Sequence, residues 1–371
     1  MSLAFFTSAV GNYLAKAAVL AESVRQHHNG ARFYLLLSEP EAPDWKRFAG
    51  LFDRLFLIRD LEMPVENVES WIFQHTLVEL CTAVKGPFLV HALEELRAEK
   101  VVYLDPDTVV FDRFREVETL LDKHSIVATP HLLEPEEGGR GVEENEVCAL
   151  QHGAFNLGFL AVNGSSEGRR FARWWRDRLL HFCHDDIPYG LFTDQRWMDL
   201  APGFFPGFHI LRDTTYNVAP WNVSRRKIAK GPGGRYLTDG SPIKFFHFSG
   251  IDAGNDFAMF ESYARHSPAV FELRKWYLQE LDRMGQAEFG RLPWGYGSFS
   301  NGKPIQKEHR LVYRKGLELM KQFPNPARVE AGEVSYDHWF AAHVKKGRIR
   351  TPLLERWKRS MKKRLRMGRA E

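Results

Sequence analysis

The chain has few cysteines, and none of them stands at a spacing that binds zinc or builds a disulfide framework. Its 371 residues contain three, Cys81, Cys148 and Cys183, widely separated and without a Cys-x-x-Cys pair. Their number and spacing exclude a disulfide-rich secreted fold and a zinc knuckle, and they suit a reducing cytoplasm. We predict that each cysteine is a small buried hydrophobic residue.

Long apolar runs and a charged leader are absent as well. No run approaches the ~20 residues that a transmembrane helix needs. The first residues, MSLAFFTSAVGNYL, lack a basic n-region and pass directly into a predicted strand, so we expect no secretory signal and a cytoplasmic protein. The segment GPGG lacks the form of a phosphate-binding P-loop and predicts a hairpin turn.

Positive charge is concentrated at one end of the chain. Residues 345–371 contain twelve Lys or Arg against two Glu, a formal charge of +10, so a total of +4 leaves −6 for residues 1–344. Apolar residues among these cations, such as Leu353 and Trp357, predict a basic amphipathic helix that contacts an anionic membrane from its inner face. A disordered basic end and docking on an acidic protein surface are the alternatives. Confinement of the charge to this end argues against nucleic-acid binding.

The first forty residues predict a β-α-β unit. Residues 3–9 and 31–38 have strand character, and between them residues 11–28 place apolar side chains at helical spacing. Such crossovers join neighbouring parallel strands with a right-handed connection. The predicted fold class is therefore α/β, with a mostly parallel sheet flanked by helices.

The stretch VVYLDPDTVVF joins an apolar strand to a pair of carboxylates. Val101 to Leu104 predict a buried strand, and Asp105 and Asp107 follow at its carboxyl end. Open α/β folds bind ligands at the carboxyl ends of their strands. Carboxylate oxygens are the ligands that Mg²⁺ and Mn²⁺ prefer, and these ions often keep positions open for substrate phosphates. The stretch therefore predicts a site for a divalent cation and a diphosphate.

Two other interpretations of this stretch stay open. Asp-Pro-Asp-Thr has the composition of a tight turn, because Asp caps local backbone groups and Pro presets φ. A strand leading into Asp-x-Asp-x-Thr also resembles the nucleophile motif of haloacid-dehalogenase-type phosphatases, in which Asp105 attacks phosphorus and Asp107 carries the proton. A phosphatase needs a second acidic pair, for which Asp185 and Asp186 are the candidates, and a nucleophile strand near the start of the fold.

Composition divides the chain into three parts. Residues 1–265 contain the alternating strands and helices and are predicted to form the catalytic domain. Residues 266–344 predict a helical C-terminal extension, and residues 345–371 form the basic tail. Inside the first part, the acidic segment 131–152 is long for a loop in a compact domain and predicts a mobile lid or an acceptor-facing loop.

Five segments stand in the order, and at roughly the spacing, seen in family-8 glycosyltransferases, the glycogenin and lipopolysaccharide galactosyltransferase type. They are SAVGNYLAKAAVLAESVRQHHNGARFYLLLSE, VVYLDPDTVVF, FNLGFLAVN, TDQ and FFHFSG. The resemblance implies a GT-A fold, a nucleotide-sugar donor with UDP-sugars favoured, and a Mn²⁺ or Mg²⁺ ion. It also implies transfer of a hexosyl unit, with retention of anomeric configuration, to a hydroxyl on a glycan, glycolipid or protein.

The resemblance implies a set of metal ligands. Asp105 and Asp107 match the family's Asp-x-Asp motif, and His247 matches the histidine of its His-x-x-Gly motif. Two carboxylates with one imidazole suit Mn²⁺ well, because nitrogen is a softer ligand than Mg²⁺ prefers. Taken alone, His247 has another interpretation as a hydrogen-bonded strand histidine.

The resemblance also implies donor-binding residues. Thr7 and Tyr13 match positions that touch the nucleotide, and Tyr13 would stack on the base unless it only packs on the helix surface. Lys85 matches a basic residue at the diphosphate and sugar, Asp105 contacts the same group, and the backbone of Gly250 approaches phosphate oxygens.

Three further matches surround the donor sugar and are the predicted catalytic residues: Asn156, Asp194 and Gln195. By the resemblance, Asp194 accepts hydrogen bonds from sugar hydroxyls and Gln195 lies near the reacting face. Without it, Asp194 predicts a helix cap and Asn156 a strand-end turn.

One position departs from the pattern. The family follows its His-x-x-Gly with a lysine and Pro-Trp that hold the phosphate, and this chain has Ala253 where the lysine would stand. The candidates to replace that charge are Lys85, Lys244 and the basic cluster at 225–227. The departure also supports a non-enzyme alternative, a nucleotide- or glycan-binding domain without turnover.

Overall fold

The structure is a computed structural model that describes residues 3–330 and 332–344. The basic tail and its predicted membrane contact lie outside the described residues. The described residues form two compact units: one combines residues 3–63 with 77–294, and the other combines 64–76 with the described residues between 295 and 344.

The strands are mostly short, and the central strands of the main sheet are buried. In chain order, the strands of the described residues are β1 (Ala4–Ala9), β2 (Arg32–Leu37), β3 (Arg54–Leu57), β4 (Lys100–Leu104), β5 (Thr108–Val110), β6 (Ile126–Pro130), β7 (Phe155–Asn163), β8 (Asp185–Asp186), β9 (Leu191–Phe192), β10 (Phe208–Ile210), β11 (Ile228–Lys230), β12 (Tyr236–Thr238), β13 (Ser241–Pro242) and β14 (Phe245–His247).

The helices alternate with the strands in the first part of the chain and dominate its last part. Those of the described residues are α1 (Leu14–His27), α2 (Val68–Phe73), α3 (Leu77–Ala83), α4 (Lys85–Glu94), α5 (Arg115–Lys123), α6 (Gly139–Gly141), α7 (Cys148–His152), α8 (Ser166–Phe182), α9 (Gln195–Met198), α10 (Ala201–Phe204), α11 (Asn255–Tyr263), α12 (Pro268–Arg283), α13 (Gln286–Phe289), α14 (Lys307–Arg314), α15 (Leu317–Gln322) and α16 (Tyr336–His343). Among the helices of the described residues, none combines the length and the apolar character needed to cross a bilayer.

The main sheet of the first unit has seven strands among the described residues, in the order β10-β6-β7-β4-β1-β2-β3. Its neighbours run parallel except at β7, which is antiparallel to both β4 and β6. Every residue of β1 and β4 is buried, so helices cover both faces of the sheet, as a parallel sheet requires. The predicted α/β class, with a mostly parallel sheet flanked by helices and a helical C-terminal extension, is confirmed.

The order of the strands reverses beside β1. The chain runs from β1 through α1 to β2 and β3 on one side, and β4 then pairs in parallel with the other side of β1, with Phe6 opposite Tyr103. The connections leaving the carboxyl ends of β1 and β4 therefore diverge. In open α/β sheets the crevice at such a reversal is where ligands bind.

Helix α1 is buried on nearly all sides, because Ala17, Ala18 and Ala21 let the sheet and the neighbouring helices approach closely. Ser23 joins it to β5, since its hydroxyl oxygen accepts a hydrogen bond from the Val110 N–H at 3.0 Å. Apolar side chains such as Phe5 pack around this helix with no exposed surface. Burying one such side chain contributes about 1.5–3 kcal/mol.

The first unit extends beyond the predicted domain boundary at residue 265 and ends at Trp294. The reason is helix α12, whose apolar face belongs to the main core through Val270, Leu273 and Tyr277. The Tyr277 ring stacks on Phe248, with the ring centroids 3.8 Å apart and an angle of 11° between the planes. Helix α12 thus supports the strand that carries His247.

The second unit is helical and has its own core. Phe73, from a segment early in the chain, packs with Tyr313 and Tyr336, so residues 64–76 belong to this unit and not to the predicted catalytic domain. The Arg310 guanidinium donates to the Phe73 and His75 carbonyl oxygens at 3.3 and 2.9 Å. The sequence did not predict the packing of these two segments, because α2 and α14 are more than two hundred residues apart.

The acidic segment 131–152 contains helix where a loop was expected. It forms α6, a π-helical turn over Val142–Val147, and α7. Cys148, in this segment, is exposed and Cys81 is intermediate, so of the three cysteines only Cys183 has the predicted burial. The GPGG segment connects the antiparallel strands β11 and β12, which confirms the predicted hairpin turn.

Candidate active site

The Asp-x-Asp pair lies where the chain leaves the main sheet. After β4 the Thr108 N–H donates to the Asp105 carbonyl oxygen at 3.1 Å, which closes a turn, and β5 begins. Strand β5 pairs antiparallel with β14 and places His247 opposite Thr108. The Phe248 N–H donates to the Asp107 carbonyl oxygen at 2.8 Å and fixes this register. Residues more than 130 positions apart in sequence therefore meet in one small ribbon.

The three predicted metal ligands lie together. The His247 Nε2 atom is 3.1 Å from Asp107 Oδ1 and 3.8 Å from Asp105 Oδ2. One ligand atom from each residue lies within 4.8 Å of the others, and among the described residues this is the group of acidic, histidine and cysteine side chains that could hold an ion. Two carboxylates and one imidazole nitrogen fit Mn²⁺, so the donor set is suitable.

The electrostatics of the cluster favour positive charge. Burial alone lowers the pKa of His247, but Asp107 and then Asp105 outweigh it, and the pKa lies above its ordinary value. Burial alone raises the pKa of Asp107, but His247 and then Lys16 bring it below its ordinary value. The cluster therefore stabilises a cation, either as a proton on the imidazole or as a bound ion.

A glycine in β7 makes room for His247. A Cβ atom at Gly158 would lie 2.4 Å from the imidazole Cε1 and 2.8 Å from Asn156 Oδ1. The Asn156 Oδ1 atom in turn accepts hydrogen bonds from the Gly158 N–H at 3.1 Å and from the Asn217 side chain at 3.0 Å. Asn156 is thus part of the buried layer beneath the cluster, where Asn217 was not anticipated from the sequence.

Lys85 connects the cluster to the second polar group, Asp194. Its Nζ atom lies 3.2 Å from Asp105 Oδ1 and 2.9 Å from Asp194 Oδ2, and the Lys85 and Asp194 side chains are each only 4% exposed. Burial lowers the pKa of Lys85, but the two carboxylates outweigh it and raise that pKa above its ordinary value. Burial raises the pKa of Asp194, and Lys85 opposes this shift. Lys85 lies in the first turn of α4, one of the helices that cover the sheet.

Both polar atoms of the Gln195 side-chain amide form hydrogen bonds with the backbone. Its Oε1 atom accepts from the Leu157 N–H at 3.2 Å, and its Nε2 donates to the His152 carbonyl oxygen at 2.9 Å. Thr193, two residues before it, has a φ of 46°, a left-handed conformation that β-branched residues rarely adopt. Backbone strain of this kind tends to occur at functional sites. Asp194 is joined to the cluster through Lys85, and contacts of Asp194 and Gln195 with a sugar stay predictions.

The predicted nucleotide residues lie within β1, after β1 and after β14. Thr7 is fully buried within β1, and its hydroxyl has no hydrogen-bond partner among the described residues. Tyr13 ends a 3₁₀ turn between β1 and α1, and its hydroxyl donates to Asp252 Oδ2 at 2.9 Å. Gly250 has a φ of 81°, in the left-handed region that glycine enters readily. Contact with a nucleotide stays a prediction for all three.

The sequence interpretation missed Lys16. This lysine lies in the first turn of α1 and is 1% exposed, and its Nζ atom lies 2.5 Å from Asp252 Oδ2. A lone lysine inside the apolar run from Leu14 to Ala21 was the signal that could have revealed it, since an unpaired lysine is almost never buried.

Lys244 and the basic cluster at 225–227 were two candidates to replace the family's phosphate-binding lysine. Side chains of both pair with residues outside the metal-ligand cluster. Lys244 pairs with Asp112 at 2.9 Å and Glu116 at 3.4 Å, and Arg225 pairs with Glu137 at 2.8 Å. Arg226, in the same basic cluster, is buried and donates to the Tyr216 carbonyl oxygen at 2.9 Å. Of the predicted replacements, Lys85 is the one that contacts the cluster.

No protein-family model matches the chain. An uncharacterized protein of Bacillus subtilis (strain 168), YfnF, is 28% identical over 182 residues, which cover 46% of this chain and 56% of YfnF. The match thus spans little more than half the length of that relative.

Similar solved structures include a galactosyltransferase, LgtC, in complex with donor and acceptor sugar analogs, at 18% identity and a TM-score of 0.39, covering 71% of this chain and 96% of that chain. Mouse xyloside xylosyltransferase 1 in its apo form is 15% identical with a TM-score of 0.41, covering 68% and 99%. Both of these similar structures are glycosyltransferases by name.

Proposed function

We propose that the protein is a metal-dependent glycosyltransferase that moves a hexosyl unit from a nucleotide-sugar, with UDP-sugars favoured, to a hydroxyl acceptor on a glycan, glycolipid or protein. The observation that carries the proposal is the convergence of Asp105, Asp107 and His247 beside the sheet's reversal point. Retention of anomeric configuration belongs to the proposal through the resemblance.

Mn²⁺ is the proposed ion, with Mg²⁺ as the alternative, and the three clustered side chains would hold it. When bound, it would neutralise the negative charge that develops on the departing nucleoside diphosphate. The Asp105 and Asp107 side chains are 27% and 17% exposed, so their oxygens remain accessible from solvent. His247 is nearly buried and approaches the same point from the opposite strand of the ribbon.

Lys85 and Asp194 are the proposed groups at the donor sugar. Lys85 fixes the carboxylates of Asp105 and Asp194 relative to each other, and the remaining acceptor capacity of Asp194 is available to sugar hydroxyls. Asn156 and Gln195 would complete this side of the site. Gln195 holds the start of β7 to the end of α7, so its first role would be positioning.

At the other side of the site, Tyr13 would stack on the base and the backbone at Gly250 would approach phosphate oxygens. Thr7 would meet the nucleotide only after a local rearrangement, because its side chain is fully buried. The acceptor would bind in the open part of the crevice.

Donor screening tests the proposal directly. Purified protein is incubated with UDP-, GDP-, ADP-, CDP- and dTDP-sugars, and nucleoside diphosphate release is measured with Mn²⁺, with Mg²⁺ and after chelation by EDTA. We expect release from one donor class that requires the metal and rises when an acceptor glycan is added. Absence of release and of binding for every donor would contradict the proposal.

The phosphatase interpretation is tested in the same experiment. Its candidate acidic pair, Asp185 and Asp186, lies in β8, which pairs with β9 in a separate two-stranded ribbon, and is not part of the metal-ligand cluster. Hydrolysis of p-nitrophenyl phosphate that disappears in Asp105→Asn, without any donor turnover, would favour the phosphatase.

A contact of residues 345–371 with an anionic membrane surface is also part of the proposal, and it rests on the formal charge of +10. Sedimentation with phosphatidylglycerol-containing liposomes compares the full chain with a variant lacking these residues. Equal sedimentation of the two proteins would remove this element and leave the catalytic proposal intact.

A further inference from the structure

We infer that Lys16 and Tyr13 form the anion site for the donor diphosphate, and that the Asp252 carboxylate occupies this site until the donor displaces it. The inference rests on the proposed function, since it assigns the diphosphate of the same donor. The Lys16 ammonium would supply the positive charge that is missing at Ala253, where the family has a lysine.

Two hydrogen-bond donors converge on one carboxylate oxygen. Lys16 Nζ lies 2.5 Å from Asp252 Oδ2, and the Tyr13 hydroxyl donates to the same atom at 2.9 Å. The lysine side chain is 1% exposed and the aspartate side chain is 54% exposed. The lysine is therefore held by the protein interior, and the anion reaches it from the solvent side. A terminal phosphate oxygen would be held by the same two donors.

The position of Lys16 fits a diphosphate. It stands in the first turn of α1, which follows β1, while the Asp-x-Asp pair follows β4, so the two groups flank the reversal point of the sheet. The positive end of the α1 dipole adds to the charge of its ammonium group.

Lys16 is held in place from two sides. Its ammonium lies 3.9 Å from the centroid of the Tyr13 ring, a cation–π contact that keeps the side chain directed toward the site. Farther along the same helix, Ser23 is bonded to β5, the strand that follows Asp107. The lysine and the Asp-x-Asp pair are therefore linked through one rigid helix and strand.

Asp252 is attached to a segment that can move. It lies in a 3₁₀ turn, Ile251–Ala253, between Gly250 and Gly254, whose φ angles are 81° and 72°. Glycine tolerates both signs of φ, so Gly250 and Gly254 are the residues of this segment at which the backbone changes conformation at least cost. A buried ammonium without any partner is costly, so release of Asp252 is favourable only when another anion replaces it. The donor diphosphate is that anion.

The first test replaces the lysine. Binding of UDP, GDP, ADP, CDP and dTDP is measured by calorimetry in the presence of Mn²⁺, and the diphosphate that the wild-type chain binds is used for the variants. We expect Lys16→Met to weaken its binding by about 10-fold or more, because a charge-assisted hydrogen bond is lost. Mn²⁺ affinity, measured separately by electron paramagnetic resonance, should change by less than about 3-fold, because Lys16 is not a metal ligand.

Lys100→Met is the matched control. Lys100 Nζ also lies 2.5 Å from a carboxylate, that of Asp122, and the two side chains are 8% and 64% exposed, but the pair is at the amino end of β4. We expect this variant to bind the diphosphate like the wild type. Equal binding by the wild type and Lys16→Met would overturn the inference and leave the proposed function standing. No binding of any diphosphate by the wild type would overturn both.

The second test replaces the displaced group and does not depend on the folding of Lys16→Met. Asp252→Asn keeps the shape of the side chain and removes its charge, so the anion site no longer holds a competing carboxylate. We expect the diphosphate to bind about 3- to 10-fold more tightly, since affinity rises when the competent state is more populated. Unchanged or weaker binding would show that Asp252 does not compete for this site and would overturn the inference.

Discussion

The two ends of strand β4 both carry buried charge, and they are built differently. At the amino end, Lys100 is the one basic or acidic residue of the strand, and its Nζ donates to the Glu118 carbonyl oxygen at 2.7 Å and to Asp122 at 2.5 Å. The cation is matched by one carboxylate, which solvent reaches freely. This end is complete and has no capacity for a ligand.

At the carboxyl end, negative charge exceeds the positive charge that the protein supplies. Asp105, Asp107 and Asp194 meet one lysine, Lys85, and one imidazole, that of His247. Two of the carboxylates are partly exposed, so a cation can approach them. The comparison teaches that buried charge by itself does not mark a site. What marks it is an excess of ligand atoms of one sign at an accessible edge.

The largest effect is expected from the ligands of the proposed ion. Asp107→Asn removes an anionic ligand, and donor turnover should fall by at least about 10³-fold because metal-based charge stabilisation is lost. Asp105→Asn should do the same. Nucleoside diphosphate release measures the turnover, and Mn²⁺ titration should show weaker binding in both variants.

The matched change at the other end of the strand is Asp122→Asn, which should leave turnover unchanged. If Asp105→Asn and Asp107→Asn both retain near wild-type transfer, the assignment of the site is wrong and the contrast between the two ends loses its chemical meaning.

The next effect is on stability. Lys85→Met leaves the nearly buried Asp194 without its cation, and breaking such a pair should lower the free energy of unfolding by about 3–5 kcal/mol. Lys100→Met leaves the exposed Asp122, which water can solvate, and should cost about 1 kcal/mol. Urea denaturation of the two variants measures the difference. Equal losses would mean that the carboxyl end is no more dependent on its lysine than the amino end.

A smaller effect is expected from the layer beneath the cluster. Gly158→Ala places a methyl group 2.4 Å from the His247 ring, so the imidazole must shift away from the carboxylates. Mn²⁺ affinity and turnover should each fall by about 10-fold, as they do when groups that orient metal ligands are changed. Gly203→Ala is the control, because a Cβ atom there meets nothing within 4 Å. Wild-type affinity in Gly158→Ala would show that the glycine does not determine the position of the imidazole.

The parts predictable from sequence were those with short-range signals. The alternation of apolar segments predicted β1, α1 and β2, and the apolar run before Asp105 predicted β4. The resemblance placed His247 with the two aspartates, and the antiparallel ribbon of β5 and β14 brings them together. The strand and helix predictions have a common cause, because local periodicity determines which residues form and end a strand, whereas the position of His247 came from the resemblance.

The parts that could not be predicted depend on contacts between distant segments. Helix α12 belongs to the first unit because Tyr277 stacks on Phe248, and residues 64–76 belong to the second because Phe73 packs there. Lys16 had no motif to identify it. Its importance arises from Asp252, a partner 236 positions away along the chain.

The sequence by itself determined the α/β class, the strand that ends in two carboxylates, and the residue types able to bind a divalent ion. Only the tertiary structure decided that the Lys85, Asp105 and Asp194 side chains share one network, and that a buried Lys16 faces the same edge of the sheet. The physical reason is that secondary structure follows local backbone and side-chain preferences, whereas burial and charge pairing are set by whichever distant groups the packed core brings within a few ångströms.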